Sequence, residues 1–197
     1  VQTCALPIYL TNAGLVNNGT AEFNTSTALN GTNGTYTNNG AWTISAGTTT
    51  VQGSGLLAFN QNAGTLSNQG RFFVNGEVFN YNGGSISGNS LELHNSTLNN
   101  NATGSVTYDL TGTTAFSGNV SAGQVLNLIA TGGANKQFNA GTFTNAGMIN
   151  MTSTAGTQVR ISSGGTVTNA AGGVLNIEQG LGGARILDAA NLVNDGA

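Results

Sequence analysis

The chain is predicted to be all-β, a single-stranded parallel β-helix of about 20–25 residues per coil, each coil stacked on the one before. Three observations predict it. A short phrase recurs as Gly34-Thr35-Tyr36-Thr37-Asn38, Gly64-Thr65-Leu66-Ser67-Asn68, Gly141-Thr142-Phe143-Thr144-Asn145 and Gly165-Thr166-Val167-Thr168-Asn169. Weaker copies begin at Gly84, Gly104 and Gly118, with partial ones at Gly14-Leu15-Val16-Asn17 and Asn191-Leu192-Val193-Asn194. The apolar members of the copies are Leu15, Tyr36, Leu66, Ile86, Val106, Val120, Phe143, Val167 and Leu192, a series that keeps a loose but recognisable period. The composition opposes helix: 29 Asn, 27 Thr and 31 Gly fill 87 of 197 positions, and these residues lose to Ala in a helix through backbone entropy or competing side-chain hydrogen bonds.

Each element follows from the phrase. In 141–151 Phe143 points inward while Thr142 and Thr144 point outward, by strand alternation. Asn145 to Gly147 bends the chain, since Asn and Gly tolerate left-handed backbone. Ile149 and Met151 then resume the inward set on the next side. The same strand, bend, strand order is read at Tyr36–Ile44, Leu66–Val74 and Val167–Ile177. Segments such as Leu91-Glu92-Leu93 and Val159-Arg160-Ile161 supply a third strand, and Gln124–Ala130 reads as a buried strand. Stacking is expected to place Leu15, Tyr36, Leu66, Ile86, Val106, Phe143, Val167 and Leu192 in one internal ladder. Asn17, Asn38, Asn68, Asn145, Asn169 and Asn194 should form a ladder of bend amides, each bonded to the next. The short step from Val106 makes Val120 a poor member of the ladder. The long step from Tyr36 to Leu66 implies an inserted loop over 45–63. Asn75-Gly76 lies between apolar runs, a hairpin signal, yet Asn-Gly recurs at 18, 30, 33, 39 and 82, so a coil corner is the expectation.

Composition also bounds function. Charge is sparse, with Lys+Arg 4 and Asp+Glu 7, and the net charge of −3 gives no basic patch for nucleic acid. No apolar run approaches the roughly 20 residues that cross a bilayer. Disorder is the compositional rival, but 38% apolar content placed at a regular period favours an ordered chain. Residues 1–8, with the sole Cys4 and sole Pro7, resemble the translation of a short-read sequencing adapter and are set apart from the repeat region 9–197, which is expected to be incomplete at both ends.

The phrase Gly-Thr-hydrophobic-Thr-Asn-x-Gly-x-hydrophobic-x-hydrophobic resembles the repeats of bacterial surface adhesins of the filamentous-haemagglutinin and autotransporter-passenger kind, best at 34–44, 64–74 and 141–177. The resemblance implies a right-handed β-helix, export by a type V translocator and a place at the outer surface of a Gram-negative cell. It also implies a non-catalytic spacer and binding surface, with host or bacterial surface glycans or proteins as partners. The 45–63 loop is the first candidate for contact, because loops vary over a rigid scaffold.

Other chemistry has weaker signals. Polysaccharide-active β-helices need two carboxylates about 5–9.5 Å apart. The acids Glu22, Glu77, Glu92, Asp109, Glu178, Asp188 and Asp195 fall mostly in different coils, so no catalytic residue is assigned. His94, the sole histidine, shares the outward face of Glu92, and no metal site or cofactor is expected. The pairs Thr35/Thr37, Thr65/Ser67, Ser85/Ser87, Ser105/Thr107, Thr142/Thr144 and Thr166/Thr168 would line one flat face if stacked. That array supports an ice-binding alternative, against the plain β-propensity of Thr. Phe73 and Tyr81 are the aromatics read as able to stack on sugars.

Overall fold

The computed structural model describes residues 8–11, 14–130, 135–154, 156–178 and 182–197. Residues 1–7 of the adapter-like segment lie outside these, while Ile8 already pairs with Thr27. Among the described residues every named element is a strand and every pairing is parallel.

The chain winds repeatedly through the same sides. Sheet 1 stacks nine strands: β1 (Ile8–Thr11), β4 (Thr27–Gly31), β7 (Thr48–Gly53), β10 (Arg71–Asn75), β13 (Leu91–His94), β15 (Val106–Leu110), β17 (Gln124–Ala130), β20 (Met148–Ser153) and β22 (Val174–Ile177). Sheet 2 stacks β2 (Gly14–Asn17), β5 (Gly34–Asn38), β8 (Leu57–Gln61), β11 (Val78–Tyr81), β14 (Thr97–Asn100), β16 (Thr114–Gly118), β18 (Lys136–Ala140) and β21 (Val159–Asn169). The long β21 also carries β19 (Phe143–Asn145) and β23 (Arg185–Asn194). Sheet 3 has four strands, β3 (Thr20–Phe23), β6 (Ala41–Ile44), β9 (Thr65–Asn68) and β12 (Ser85–Gly88). This is a parallel β-solenoid of about eight turns, and eight steps at about 4.8 Å make sheet 1 a wall on the order of 38 Å long.

Register fixes the core. Leu29, Val51, Val74, Leu93, Leu110, Leu128 and Met151 stand one on the next in sheet 1, all at most 3% exposed. Beside them run Thr27, Thr49, Phe72, Leu91, Tyr108, Leu126, Ile149 and Leu175, each the register partner of the next. The coil from Leu91 to Tyr108 is the shortest of this series and that from Ile149 to Leu175 the longest. Both fall outside the expected range of coil length, because corners absorb length while the strands keep their pairing. Three strands per coil are interrupted in the middle of the stack. After β12 the third side carries no strand until β19, to whose Asn145 Val120 forms a lone bridge.

Two expectations are corrected by this register. The apolar residues of the phrase do not share one ladder. Leu15 and Tyr36 lie in sheet 2, continued by Phe59, Phe79, Leu98 and Phe116. Leu66 and Ile86 lie in sheet 3 above Ala21 and Trp42. Phe143, Val167 and Leu192 form a third column, and Val106 stands in sheet 1 against Gln124. The phrase encodes a strand followed by a corner, and the same chemistry serves corners on different sides. Six of the eight are buried, whereas Leu15 and Leu192, on strands paired along one edge in their columns, are 38% and 47% exposed.

The second correction concerns 45–63. This segment is no insertion: β7 and β8 run through it, and Val51, Leu57, Phe59 and Gln61 are fully buried. The long step from Tyr36 to Leu66 crosses from one sheet to another; the true coil steps run from Tyr36 to Phe59 and from Trp42 to Leu66. Asn75-Gly76 is a coil corner, with Gly76 at φ +77° and its N–H on the His94 carbonyl of the next coil.

The bend asparagines form two amide ladders. Asn17 Nδ2 donates to Asn38 Oδ1, and Asn38 Nδ2 to Gln61 Oε1, each at 2.8 Å. Asn145 donates to Asn169 and Asn169 to Asn194, again at 2.8 Å. Asn68 joins neither; it ends a sheet 3 strand and donates to the carbonyls of Asn89 and Ser90. Above Gln61 the file meets Tyr81, which has no amide to pass the chain on.

Candidate binding surface

The outward side chains of sheet 1 gather much of the little charge this protein has. Phe73 in β10 is in register with Thr50 below and Glu92 above; Glu92 is in register with Asp109, Asp109 with Asn127, and Asn127 with Asn150. Alternation puts these opposite the buried Phe72, Leu91 and Tyr108, so Phe73 is half-buried on the outside as its parity predicts. Arg71 binds this file together. Its guanidinium carbon sits 4.2 Å from the Phe73 ring centroid, and its nitrogens reach Glu92 Oε2 at 2.6 and 2.8 Å. Both side chains remain partly solvated, so the pair contributes at most about 1 kcal/mol and its value is geometric.

Register also brings two acids side by side. Glu92 and Asp109 are direct neighbours across coils, a juxtaposition that costs stability unless each carboxylate is engaged. Both are: Glu92 turns back to Arg71, while Asp109 accepts the Ser90 hydroxyl and, at 2.7 Å, the Asn127 amide. Asn150 and Asn176 extend that file by amide bonds of 2.8 and 3.3 Å. His94 lies on the same outward face as expected, its Nδ1 3.2 Å from Thr111 Oγ1 and its ring 6.4 Å from Phe73. The repeated Leu91-Glu92-Leu93 and Tyr108-Asp109-Leu110 patterns were the sequence signal for this pairing. Their spacing, shorter than the assumed coil, concealed it.

Other expected surface features are redistributed. Tyr81 is fully buried, its hydroxyl donating to the Gly84 carbonyl at 3.0 Å, so it offers no outer platform. The hydroxyl pairs occupy several sides: Thr35/Thr37 in sheet 2, Thr65/Ser67 and Ser85/Ser87 in sheet 3, Ser105/Thr107 at the start of β15 in sheet 1, and Thr142/Thr144 and Thr166/Thr168 around β19 and β21. In sheet 2 the file above Thr37 is Asn60, Asn80, Asn99 and Ser117, linked at 2.6, 2.7 and 2.6 Å. A single flat hydroxyl face is therefore not present among the described residues.

Among the described residues no three His, Cys, Asp or Glu side chains converge, and no helix is long and apolar enough to cross a membrane. Neither a protein-family model, nor a curated protein, nor a solved structure matches the chain.

Proposed function

We propose that the chain is a non-catalytic, structural and adhesive segment of a secreted or surface-anchored bacterial adhesin, displayed outside the cell and associated with the outer membrane after type V export. The observation that carries this reading is the unbroken stacking of nine strands in sheet 1 while coil length varies from the short Leu91–Tyr108 coil to the long Ile149–Leu175 coil. Such a rod transmits length and presents side chains at fixed spacing with backbone pairing on every strand. The contact surface is assigned to the outer face around Arg71, Phe73, Glu92 and His94, in place of the 45–63 segment, whose strands β7 and β8 bury every second residue in the core.

The two alternatives have less support. Ice binding needs a continuous hydroxyl lattice, and the hydroxyl pairs are divided among sheets. A polysaccharide-active enzyme needs two free carboxylates, and Glu92 and Asp109 are already bonded to Arg71, Ser90 and Asn127. The test is binding of the labelled chain to bacterial and epithelial cell surfaces, with its outer face altered. Saturable binding that falls at least fivefold in Arg71→Ala/Phe73→Ser, at unchanged circular dichroism, is expected. Saturable binding that survives these changes removes the assigned face, and no binding to any surface tested removes the adhesive reading.

A further inference from the structure

In-register amides on the outside of this stack bond to one another in the files Asn60–Asn80–Asn99 and Asn127–Asn150–Asn176. One outer group does not. Asn30 in β4 and Gln52 in β7 are register partners on the outward side of sheet 1, opposite the buried Leu29 and Val51. Asn75 ends β10, following Val74 as Gln52 follows Val51, the register partner of Val74. It is the register partner of His94 and shares the outward parity of Phe73. Thr32 and Ser54 stand in the corners that follow β4 and β7. Among the described residues, none of these five side chains has a hydrogen-bond partner within the chain.

All five line one open cleft of about 480 Å³, within the size range of small-ligand sites. Gly31 and Gly53, in register with each other, line it too and add no side chain. The framework beneath is fixed. Val51 and Val74 are fully buried, and the Tyr36 hydroxyl reaches the Asn30 carbonyl from the core at 3.2 Å. Among the described residues no charged side chain lines the cleft; its side chains are amides and hydroxyls. The lining thus offers no counter-charge to an ion and no apolar wall to a hydrophobic ligand. Amides and hydroxyls donate and accept together, so they match ligand groups that also do both. Adjacent hydroxyls are such groups.

We propose that this cleft binds a neutral saccharide, whose hydroxyls pair with the amides of Asn30, Gln52 and Asn75 and the hydroxyls of Thr32 and Ser54. Stacking sets the backbones of the three amide residues about 4.8 Å apart in succession, so they meet several hydroxyls of one sugar instead of a single group. A peptide is the other neutral ligand rich in donors and acceptors, but the cleft lacks what peptide recognition uses. The β7 strand is paired on both sides and offers no free edge, and neither an aromatic groove nor an Arg cluster lines the space. The cleft adjoins the assigned contact face through Phe73 and His94 and gives that face a ligand class. This deepens the adhesive reading, and rests on it only for the sugar's source in a surface glycan.

The test is saturation-transfer NMR on the whole chain. The probes are methyl glucoside, galactoside and mannoside, with methyl glucuronide as the charged control and acetyl-Gly-Ser-Gly amide as the peptide control. Saturable transfer to at least one neutral sugar is expected, with a Kd on the order of 1 mM for so small a ligand. The glucuronide should bind more weakly. Gln52→Ala and Asn75→Ala remove no side-chain bond within the chain, so both should fold. Each should weaken the sugar at least threefold and the pair at least tenfold, while Asn24→Ala, exposed and outside the cleft, should change nothing. No saturable transfer to a neutral sugar, a glucuronide bound as well as the glucoside, or unchanged affinity in the double variant overturns the site. Transfer to the peptide alone overturns it as well, in favour of a peptide ligand. Sugar binding by a chain that attaches to no cell surface keeps the site and removes the adhesive reading. Attachment to cells with no sugar bound removes the site alone.

Discussion

Asn38 shows how an uncharged polar side chain can hold a core together. It is fully buried, accepts from Asn17, and donates to Gln61 and to the Thr65 carbonyl at 2.8 and 2.9 Å. Replacing it by Ala strands three partners at once, and each buried unsatisfied group costs about 1–3 kcal/mol. Asn38→Ala should therefore lose roughly 2–4 kcal/mol in urea unfolding, part being recovered as neighbours relax. Asn39, one position on, makes the same kind of bond to Asn18 at 2.8 Å but in solvent, so Asn39→Ala should cost under about 0.5 kcal/mol. Equal losses from the two would show that burial does not set the value of these ladders. Tyr108 supplies the corresponding pH prediction. Burial, with the neighbouring Tyr81 phenolate as a smaller cause, pushes its hydroxyl well above the usual tyrosine value of 10.0. The unfolded chain ionises there first, so it binds fewer protons than the native state above about pH 10. The stability contribution is complete below that pH and is lost as pH rises further. Denaturant midpoints should fall above about pH 10, less steeply in Tyr108→Phe, with tyrosinate absorbance of this residue appearing only on unfolding.

At the scale of elements, corner identity decides what survives deletion. Thr49 and Phe72 are register partners, so removing residues 49–71 takes out one whole coil and joins Thr48 to Phe72 with every later strand still in its own sheet. Removing 45–63 joins the end of one sheet 3 strand to the corner before another and skips sheets 1 and 2 for that turn. The first deletion should fold, with the strand signature in circular dichroism and a lower thermal midpoint. The second, though shorter, should not. The reverse order would contradict the register. This contrast also marks what was legible in the sequence. Strand, alternation and corner could be read wherever apolar residues alternate with Thr or Asn before Gly, and Gln124–Ala130 emerges as β17 at the expected bounds. Which side a strand belongs to could not be read, because Gly34–Asn38 and Gly64–Asn68 carry the same local chemistry. Phe59, the true register partner of Tyr36, sits outside any copy of the phrase, and Trp42, that of Leu66, stands in the second strand of the 34–44 copy rather than its first. The outer face was half legible: parity placed Phe73, Glu92 and His94 outside. The Arg71 bridge and the Glu92–Asp109 contact depend on coil length, which the local pattern does not encode. Glu77 was hidden for a related reason: it keeps the inward parity of Phe79 and Tyr81 and is buried, although a carboxylate ordinarily faces solvent.

Across the whole molecule, aromatic packing divides what backbone pairing joins. Phe23, Trp42, Phe59, Phe72, Phe79 and Tyr108 form a continuous chain of ring contacts with centroids 4.7–6.2 Å apart. Phe116, Phe138 and Phe143 form a second group at 4.8–5.9 Å, and no ring contact among the described residues links the two. The two groups meet within the two shortest coils of sheet 1, Leu91 to Tyr108 and Tyr108 to Leu126, and there the third side holds the Val120–Asn145 bridge instead of a ladder. A stack of coils gains cooperativity from the interface between neighbours, so its weakest interface sets where it divides. Sheets 1 and 2 still cross this seam, but they do so without a third wall or a shared aromatic column. The earlier block has the larger set of ring contacts, so it should outlast the later one in denaturant. Trp42, the only tryptophan, lies inside that earlier block and reports it alone, whereas backbone circular dichroism reports both. The dichroism transition should therefore begin at lower denaturant than the Trp42 fluorescence transition, and hydrogen exchange should be faster in β18–β23 than in β5–β11. Superimposable transitions with even protection along the stack would mean that continuous hydrogen bonding through sheets 1 and 2 couples the coils strongly enough to erase the seam.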